Sequence, residues 1–121
     1  MTKVLVVEDT PLNMELIMEI LQGEDFNPDC AEDGEKALKM IEKQVYDLVL
    51  MDINLPDIDG YTLTNQLKQM DEFNKIPIIA LTANVMKGDR EKSLEAGCDG
   101  YIQKPIDVDD LPNQIAHYLQ R

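Results

Sequence analysis

The stretch Tyr46-Asp47-Leu48-Val49-Leu50-Met51-Asp52-Ile53-Asn54-Leu55-Pro56 decides how the chain folds. Its central apolar run, Leu48 to Met51, is too short for an isolated helix and suits a strand covered on both faces, as in parallel sheets. Asp52 ends that run. In open α/β folds the crevice outside the carboxyl ends of the strands holds ligands and chemistry. A carboxylate there is a candidate nucleophile or metal ligand if other strands bring partners to it.

Working outward, short apolar runs alternate with helix-like segments, a repeated βα rhythm with no Ser/Gly/Pro-rich linker. Val4-Leu5-Val6-Val7 is the first run, followed at once by Glu8-Asp9, and Pro11 suits the first turn of the next helix. In that helix Asn13, Leu16, Ile17, Ile20 and Leu21 recur at helical spacing and predict the inward face. Leu12, Met14 and Met18 fall off the stripe, as scattered surface residues or as a docking surface. The second strand, Phe26 to Ala31, contains Pro28, which argues for a sheet edge. Asp33 is placed to cap the second helix, whose predicted stripe is Ala37, Leu38, Ile41 and Val45.

After the Asp52 strand, Asn54 to Gly60 reads as a loop. A third helix follows, with Asp59 as cap and Leu63, Leu67 and Met70 inward. Pro77 to Leu81 is the fourth run and ends at Thr82. The helix after it, about Lys87 to Ala96, has few apolar residues beyond Val85, Met86 and Leu94 and is expected to be loosely anchored. Gly97 closes it, a short fifth strand spans Gly100 to Gln103, and Lys104-Pro105 comes next. The last helix is expected to be capped within Asp107 to Asp110. Pro112 favours Asp109 or Asp110, because its missing amide then belongs to the first turn.

Composition narrows the function. At 121 residues with 44% hydrophobic content, the chain fits one domain, 1–121, with a real core. Its 24 acidic against 11 basic residues give a net charge of −13, which opposes the counterion release that nucleic-acid binding relies on. No run approaches the roughly 18 apolar residues of a membrane span, and Met1-Thr2-Lys3 leads straight into a strand, so a cytoplasmic, full-length protein is expected. Cys30 and Cys98 have no metal-ligand spacing and are expected to be packing residues. His117, in the last helix, reads as a surface residue.

The strand ends thus assemble Glu8, Asp9, Asp52, Thr82 and Lys104. Carboxylates converging at roughly 4 Å repel by about 4 kcal/mol per pair at an effective dielectric of about 20. They need a cation. Mg²⁺ suits them, with Mn²⁺ as an alternative, because it takes oxygen ligands and bridges carboxylate to phosphate. With a lysine and a hydroxyl alongside, the set suits moving a phosphoryl group onto Asp52.

The motifs Val7-Glu8-Asp9, Leu50-Met51-Asp52-Ile53-Asn54-Leu55-Pro56, Asp59-Gly60, Leu81-Thr82-Ala83 and Tyr101-Ile102-Gln103-Lys104-Pro105 resemble the receiver domain of two-component response regulators. The resemblance covers essentially the whole chain. Within the family it is most similar to stand-alone regulators of the DivK kind and to receivers of hybrid histidine kinases, on Met86-Lys87-Gly88-Asp89-Arg90-Glu91. It implies a flavodoxin-like (βα)5 three-layer sandwich with strand order 2-1-3-4-5. It further implies Asp52 as phosphoryl acceptor from a phosphohistidine, and Mg²⁺ held by Asp9, Asp52 and the Asn54 backbone carbonyl, with Glu8 acting through water. Thr82 and Lys104 would hold the phosphoryl oxygens, Lys104-Pro105 would be cis, and Tyr101 would be the aromatic switch. Asn54 and Asn84, two residues beyond Asp52 and Thr82, stand where side chains tune the lifetime of the acyl phosphate.

The expected function is a phosphorylation switch without turnover of an external substrate. Its donor would be a histidine kinase or histidine phosphotransfer protein, and its target a protein met by the surface of the fourth helix, fifth strand and fifth helix. Leu12, Met14, Leu55, Pro56 and Pro105 are the expected donor-facing residues. One rival is an aspartyl-phosphate phosphohydrolase, which usually carries a second Asp two residues after its nucleophile, where this chain has Asn54. Others are a receiver excised from a hybrid kinase and a degenerate receiver that only binds proteins.

Overall fold

The apolar runs form one parallel sheet, and the helices between them cover its faces. In the computed structural model, which describes residues 2–24, 26–70, 75–82 and 87–119 with the side chains of 87–90 and 93 excepted, the strands are β1 (Thr2–Val7), β2 (Phe26–Ala31), β3 (Leu48–Asp52), β4 (Ile78–Thr82) and β5 (Gly100–Gln103). The helices are α1 (Pro11–Gln22), α2 (Gly34–Lys43), α3 (Gly60–Lys68), α4 (Lys87–Ala96) and α5 (Leu111–Leu119). Strand order is β2-β1-β3-β4-β5, all parallel. This is the flavodoxin-like order that the motifs imply. The chain leaves β1 toward β2 on one side and returns to β3 on the other, which opens a crevice beyond the ends of β1 and β3.

Alternation along the strands splits the core in two. Val4, Val6, Leu48 and Leu50 pack with Ile17 and Leu21 of α1 and with Leu111 and Ile115 of α5. Leu5, Val7, Val49 and Met51 pack with Ala37 and Ile41 of α2 and with Leu63 and Leu67 of α3. Each such fully buried aliphatic side chain stabilises by about 1.5–3 kcal/mol before the entropy of ordering it is subtracted. Pro28 sits opposite Val4 on edge strand β2, where its missing amide costs least.

Helix ends follow their local chemistry. Pro11 occupies the first turn of α1, Asp33 accepts from the Lys36 amide at α2, and Asp59 accepts from the Tyr61 amide at α3. Asp107 Oδ1 takes the Asp109 and Asp110 amides, and α5 begins at Leu111 with Pro112 in its first turn.

Several side chains depart from the expected pattern. The backbone leaves the helix at Gln44, so Val45 loses the helical spacing that would have turned it inward and is 68% exposed. Tyr46 is buried instead. Met70, beyond the end of α3, is likewise exposed. Met14 and Met18 pack partly against the core, while Leu12 is 77% exposed. Cys30 is exposed on the edge strand, contrary to a packing role, and Cys98 is buried; both are free thiols. Glu91, Lys92, Leu94 and Glu95 of α4 are all exposed, in keeping with a loosely held helix. Asn84, Val85 and Met86 lie outside the described residues. Among the described residues, no helix is long and apolar enough to cross a membrane.

Candidate active site

The carboxyl ends of β1 and β3 deliver three carboxylates to one place. Oxygen atoms of Glu8, Asp9 and Asp52 lie within 4.8 Å of one another. Glu8 and Asp52 are buried and Asp9 is exposed. Glu8 is held by its own backbone, because its amide donates to the Ala31 carbonyl at 3.0 Å and so ties the acidic turn to the end of β2. Asp52 closes the last position of β3 and accepts the Asn54 amide at 3.0 Å.

Lys104 arrives from the end of β5. Its amide donates to the Thr82 carbonyl at 2.8 Å, which extends the β4–β5 pairing past Gln103, and the Lys104–Pro105 peptide bond is cis. The ammonium lies 2.7 Å from Glu8 Oε1 and 3.4 Å from Asp52 Oδ2. One cation therefore faces two of the three carboxylates, and the cluster keeps a net negative charge. Glu8 Oε1 is buried and lacks a well-aligned hydrogen-bond donor among the described residues. An all-oxygen donor set, surplus negative charge and an incompletely satisfied buried oxygen suit a hard divalent cation.

Electrostatics separate the two buried acids. Burial, and next the hydrogen bond with Asp52, push Glu8 up to about 7. Burial also raises Asp52, but the hydrogen bonds from Glu8 and the Asn54 amide, with the charge of Lys104, outweigh it and hold Asp52 below its ordinary value. For Lys104, burial is outweighed by its carboxylate partners, Glu8 foremost, which raise it. Asp52 is thus the acid held as carboxylate, the form a nucleophile requires.

Thr82 is buried at the end of β4, on the sheet edge that carries Asp52. Tyr101 on β5 is half-buried and packs with Tyr61 against a small cluster of Ile53, Ala80 and Cys98. That cluster begins one residue beyond Asp52. Two participants have weak sequence signals. Tyr61 was legible only as an aromatic following Asp59-Gly60, and Asp57 only as one more loop carboxylate. Asp57 in fact accepts from the Gly34 and Glu35 amides at 2.9 and 3.1 Å. His117 is exposed beside Tyr118 on α5, consistent with a surface residue.

Comparison with known proteins points the same way. Residues 4–116 match the family described as response regulator receiver domain. The polar-differentiation response regulator DivK of Brucella ovis is 41% identical over 120 residues, covering 98% of each chain. DivK of Brucella anthropi is 40% identical over 116 residues, covering 96% of this chain and 94% of that one. Among solved structures, the receiver domain of a sensor histidine kinase from Pseudomonas aeruginosa, with a magnesium ion coordinated in its active-site cleft, superposes with a TM-score of 0.91 at 36% identity, covering 99% of this chain and 98% of that one. A putative response regulator from Chloroflexus aurantiacus gives a TM-score of 0.94 at 32% identity over 99% and 98% of the two chains.

Proposed function

Because this chain belongs to the response regulator receiver family, we propose that it is a phosphorylation switch with Asp52 as the phosphoryl acceptor. The observation that carries the reading is the convergence of Glu8, Asp9 and Asp52 within 4.8 Å, with Lys104 facing two of them. An Asp52 carboxylate oxygen attacks the phosphorus of a phosphohistidine. The new O–P bond forms as the P–N bond breaks, and the imidazole leaves with the bonding electrons.

Asp9, Asp52 and the Asn54 backbone carbonyl would hold Mg²⁺, with Glu8 reaching it through water; the relative with magnesium in its active-site cleft supports a magnesium ion at this acidic cluster. The ion, when bound, supplies charge that offsets the gathering carboxylate and phosphoryl oxygens. Lys104 turns its ammonium from the carboxylates toward the phosphoryl group, and the Thr82 hydroxyl donates to another phosphoryl oxygen. Phosphorylation adds nearly two negative charges. Tyr101 then repacks with the exposed α4, and the surface of α4, β5 and α5 changes its affinity for a protein target. Asn54, exposed beside Asp52, and Asn84 tune how long the acyl phosphate lasts.

Under this reading residues 1–121 act as one cytoplasmic receiver domain that signals through proteins, without turnover of an external substrate. The donor is a histidine kinase or phosphotransfer protein. Leu12, Pro56 and Pro105 are exposed and form the donor-facing surface; Met14 and Leu55 contribute only their half-exposed edges, since each packs against a core cluster. The test is incubation with acetyl phosphate and Mg²⁺, followed by intact-mass analysis. Wild type should gain one phosphoryl group and Asp52→Asn none. Equal labelling of the two chains would refute the assignment.

A further inference from the structure

The loop that leaves Asp52 is held at its far side by a helix that makes no chemistry of its own. Asp57 Oδ1 accepts from the Gly34 amide at 2.9 Å and Oδ2 from the Glu35 amide at 3.1 Å. These are first-turn amides of α2, which lack intrahelical partners. The next residue, Ile58, packs over Gly34 so closely that a Cβ there would lie 2.1 Å from Ile58 Cγ2. Within the loop, Asn54 pairs with Asp59 across an antiparallel bridge, and the Gly60 amide returns to the Ile53 carbonyl at 3.0 Å. The connections close a ring. Glu8 is tied to Ala31 at the end of β2, α2 starts at Gly34, and Asp57 returns from α2 to the loop bearing Asn54.

We infer that Asp57 is a positioning residue for the acidic site, holding the loop that presents the Asn54 backbone carbonyl beside Asp52 and so setting the affinity for a divalent cation. The inference rests on the metal-ligand role proposed above for that carbonyl. Asp57 touches neither metal nor phosphoryl group. Its part is to pair with amides that the helix macrodipole makes attractive to a carboxylate, and thereby to remove the loop's freedom before the ion binds.

The same helix supplies its own control. Asp33 accepts from the Lys36 amide at 2.8 Å, so it also caps α2, but among the described residues it makes no hydrogen bond or ion pair to the loop. Asp57→Ala and Asp33→Ala each delete one carboxylate and one cap from the same helix end. Mg²⁺ binding is measured by titration calorimetry for wild type, both alanine variants and Asp57→Asn, with circular dichroism melts alongside. Asp57→Ala should weaken Mg²⁺ about tenfold, the low end of what losing an outer partner costs a metal site. Asp33→Ala should stay within about twofold of wild type despite a comparable loss of melting temperature. Asp57→Asn keeps one acceptor in the same shape and should fall between wild type and Asp57→Ala.

Unchanged affinity in Asp57→Ala, or equal weakening by both alanine variants, would overturn the positioning role. If Asp57→Ala does not fold, Asp57→Asn decides alone: wild-type affinity overturns the role and weaker affinity supports it. Wild type that binds no Mg²⁺ at millimolar concentration overturns the metal assignment itself, and the inference with it.

Discussion

Gly60 lies directly against the backbone of Asp52. A Cβ at residue 60 would sit 2.4 Å from the Asp52 carbonyl oxygen and 2.7 Å from Ile53 Cα. Neither is the tip of a flexible side chain, so the strand end or the start of α3 would have to move. Gly60→Ala should therefore destabilise by about 1–3 kcal/mol, the usual cost of overpacking. It should also slow acetyl-phosphate labelling of Asp52 more than a substitution of equal stability cost elsewhere, because the displaced atoms adjoin the nucleophile. Urea unfolding and a labelling time course measure both effects.

Divalent cation should stabilise the fold through the same residues. Mg²⁺ at a hundredfold excess over its Kd should add about 2.7 kcal/mol, since it binds the folded chain alone. Asp9→Ala, which removes an exposed carboxylate from the cluster, should lose most of that gain and, by relieving repulsion within the cluster, should raise the metal-free melting temperature. Thermal scans with and without Mg²⁺ test the pairing. A full Mg²⁺-dependent shift in the variant would exclude Asp9 as a ligand.

Tyr46 sets a limit at alkaline pH. Its hydroxyl donates to Asp29 Oδ2 at 2.8 Å and accepts from Gln44 Nε2 at 2.8 Å. Burial, and next the Asp29 carboxylate, push the phenol above its ordinary value. The folded chain thus keeps a proton that the unfolded chain releases near about pH 10. This contribution is complete below about pH 10 and is lost as pH climbs toward the folded-state value. Tyr46→Phe should cost about 1 kcal/mol at neutral pH and should flatten the alkaline decline in stability, as denaturant titrations from pH 8 to 11 would show.

The thiols should differ sharply in reactivity. Burial pushes Cys98 from an ordinary 9.0 up to about 11, which leaves about a hundredfold fewer thiolates at neutral pH. Cys98 is also shielded beside Thr64, at 3.9 Å between Sγ and Oγ1. Iodoacetamide should modify Cys30 alone in the folded protein, and Cys98 only after denaturation. Peptide mapping distinguishes the sites, and early modification of Cys98 would mean that the packed cluster around it opens readily.

Most of the sheet could be read along the chain because each strand is a short apolar run and each helix has its own start and stop signals. Val4 to Val7 and Leu48 to Met51 are wholly buried, so nothing polar interrupts them. Asp9, Asp52, Thr82 and Lys104 could be placed because a parallel sheet sends every strand's carboxyl end to one side. Local signals failed where a helix stopped early. Residue 45 fits the α2 stripe by spacing, but the helix ends at Lys43, and Tyr46, in the connection to β3, takes up the buried position through a contact to Asp29 on β2.

What remained depends on contacts between distant segments. Asp57 meets Gly34 across 23 positions of sequence, and nothing in the composition of either segment announces that pairing. Lys104 was legible as a cation near the site. Its approach to Glu8 at 2.7 Å and to Asp52 at 3.4 Å depends on how the sheet registers set the strand ends, and it is burial of Glu8, together with the hydrogen bonds that Asp52 accepts, that leaves Asp52 the better ionised of the two buried acids. Periodicity and end signals are local energies written into neighbouring residues, so the order and type of the elements can be read from the chain. Which loop clamps which helix, and which carboxylate holds its charge, depends on burial and on distances of a few ångströms that arise only once the elements have packed.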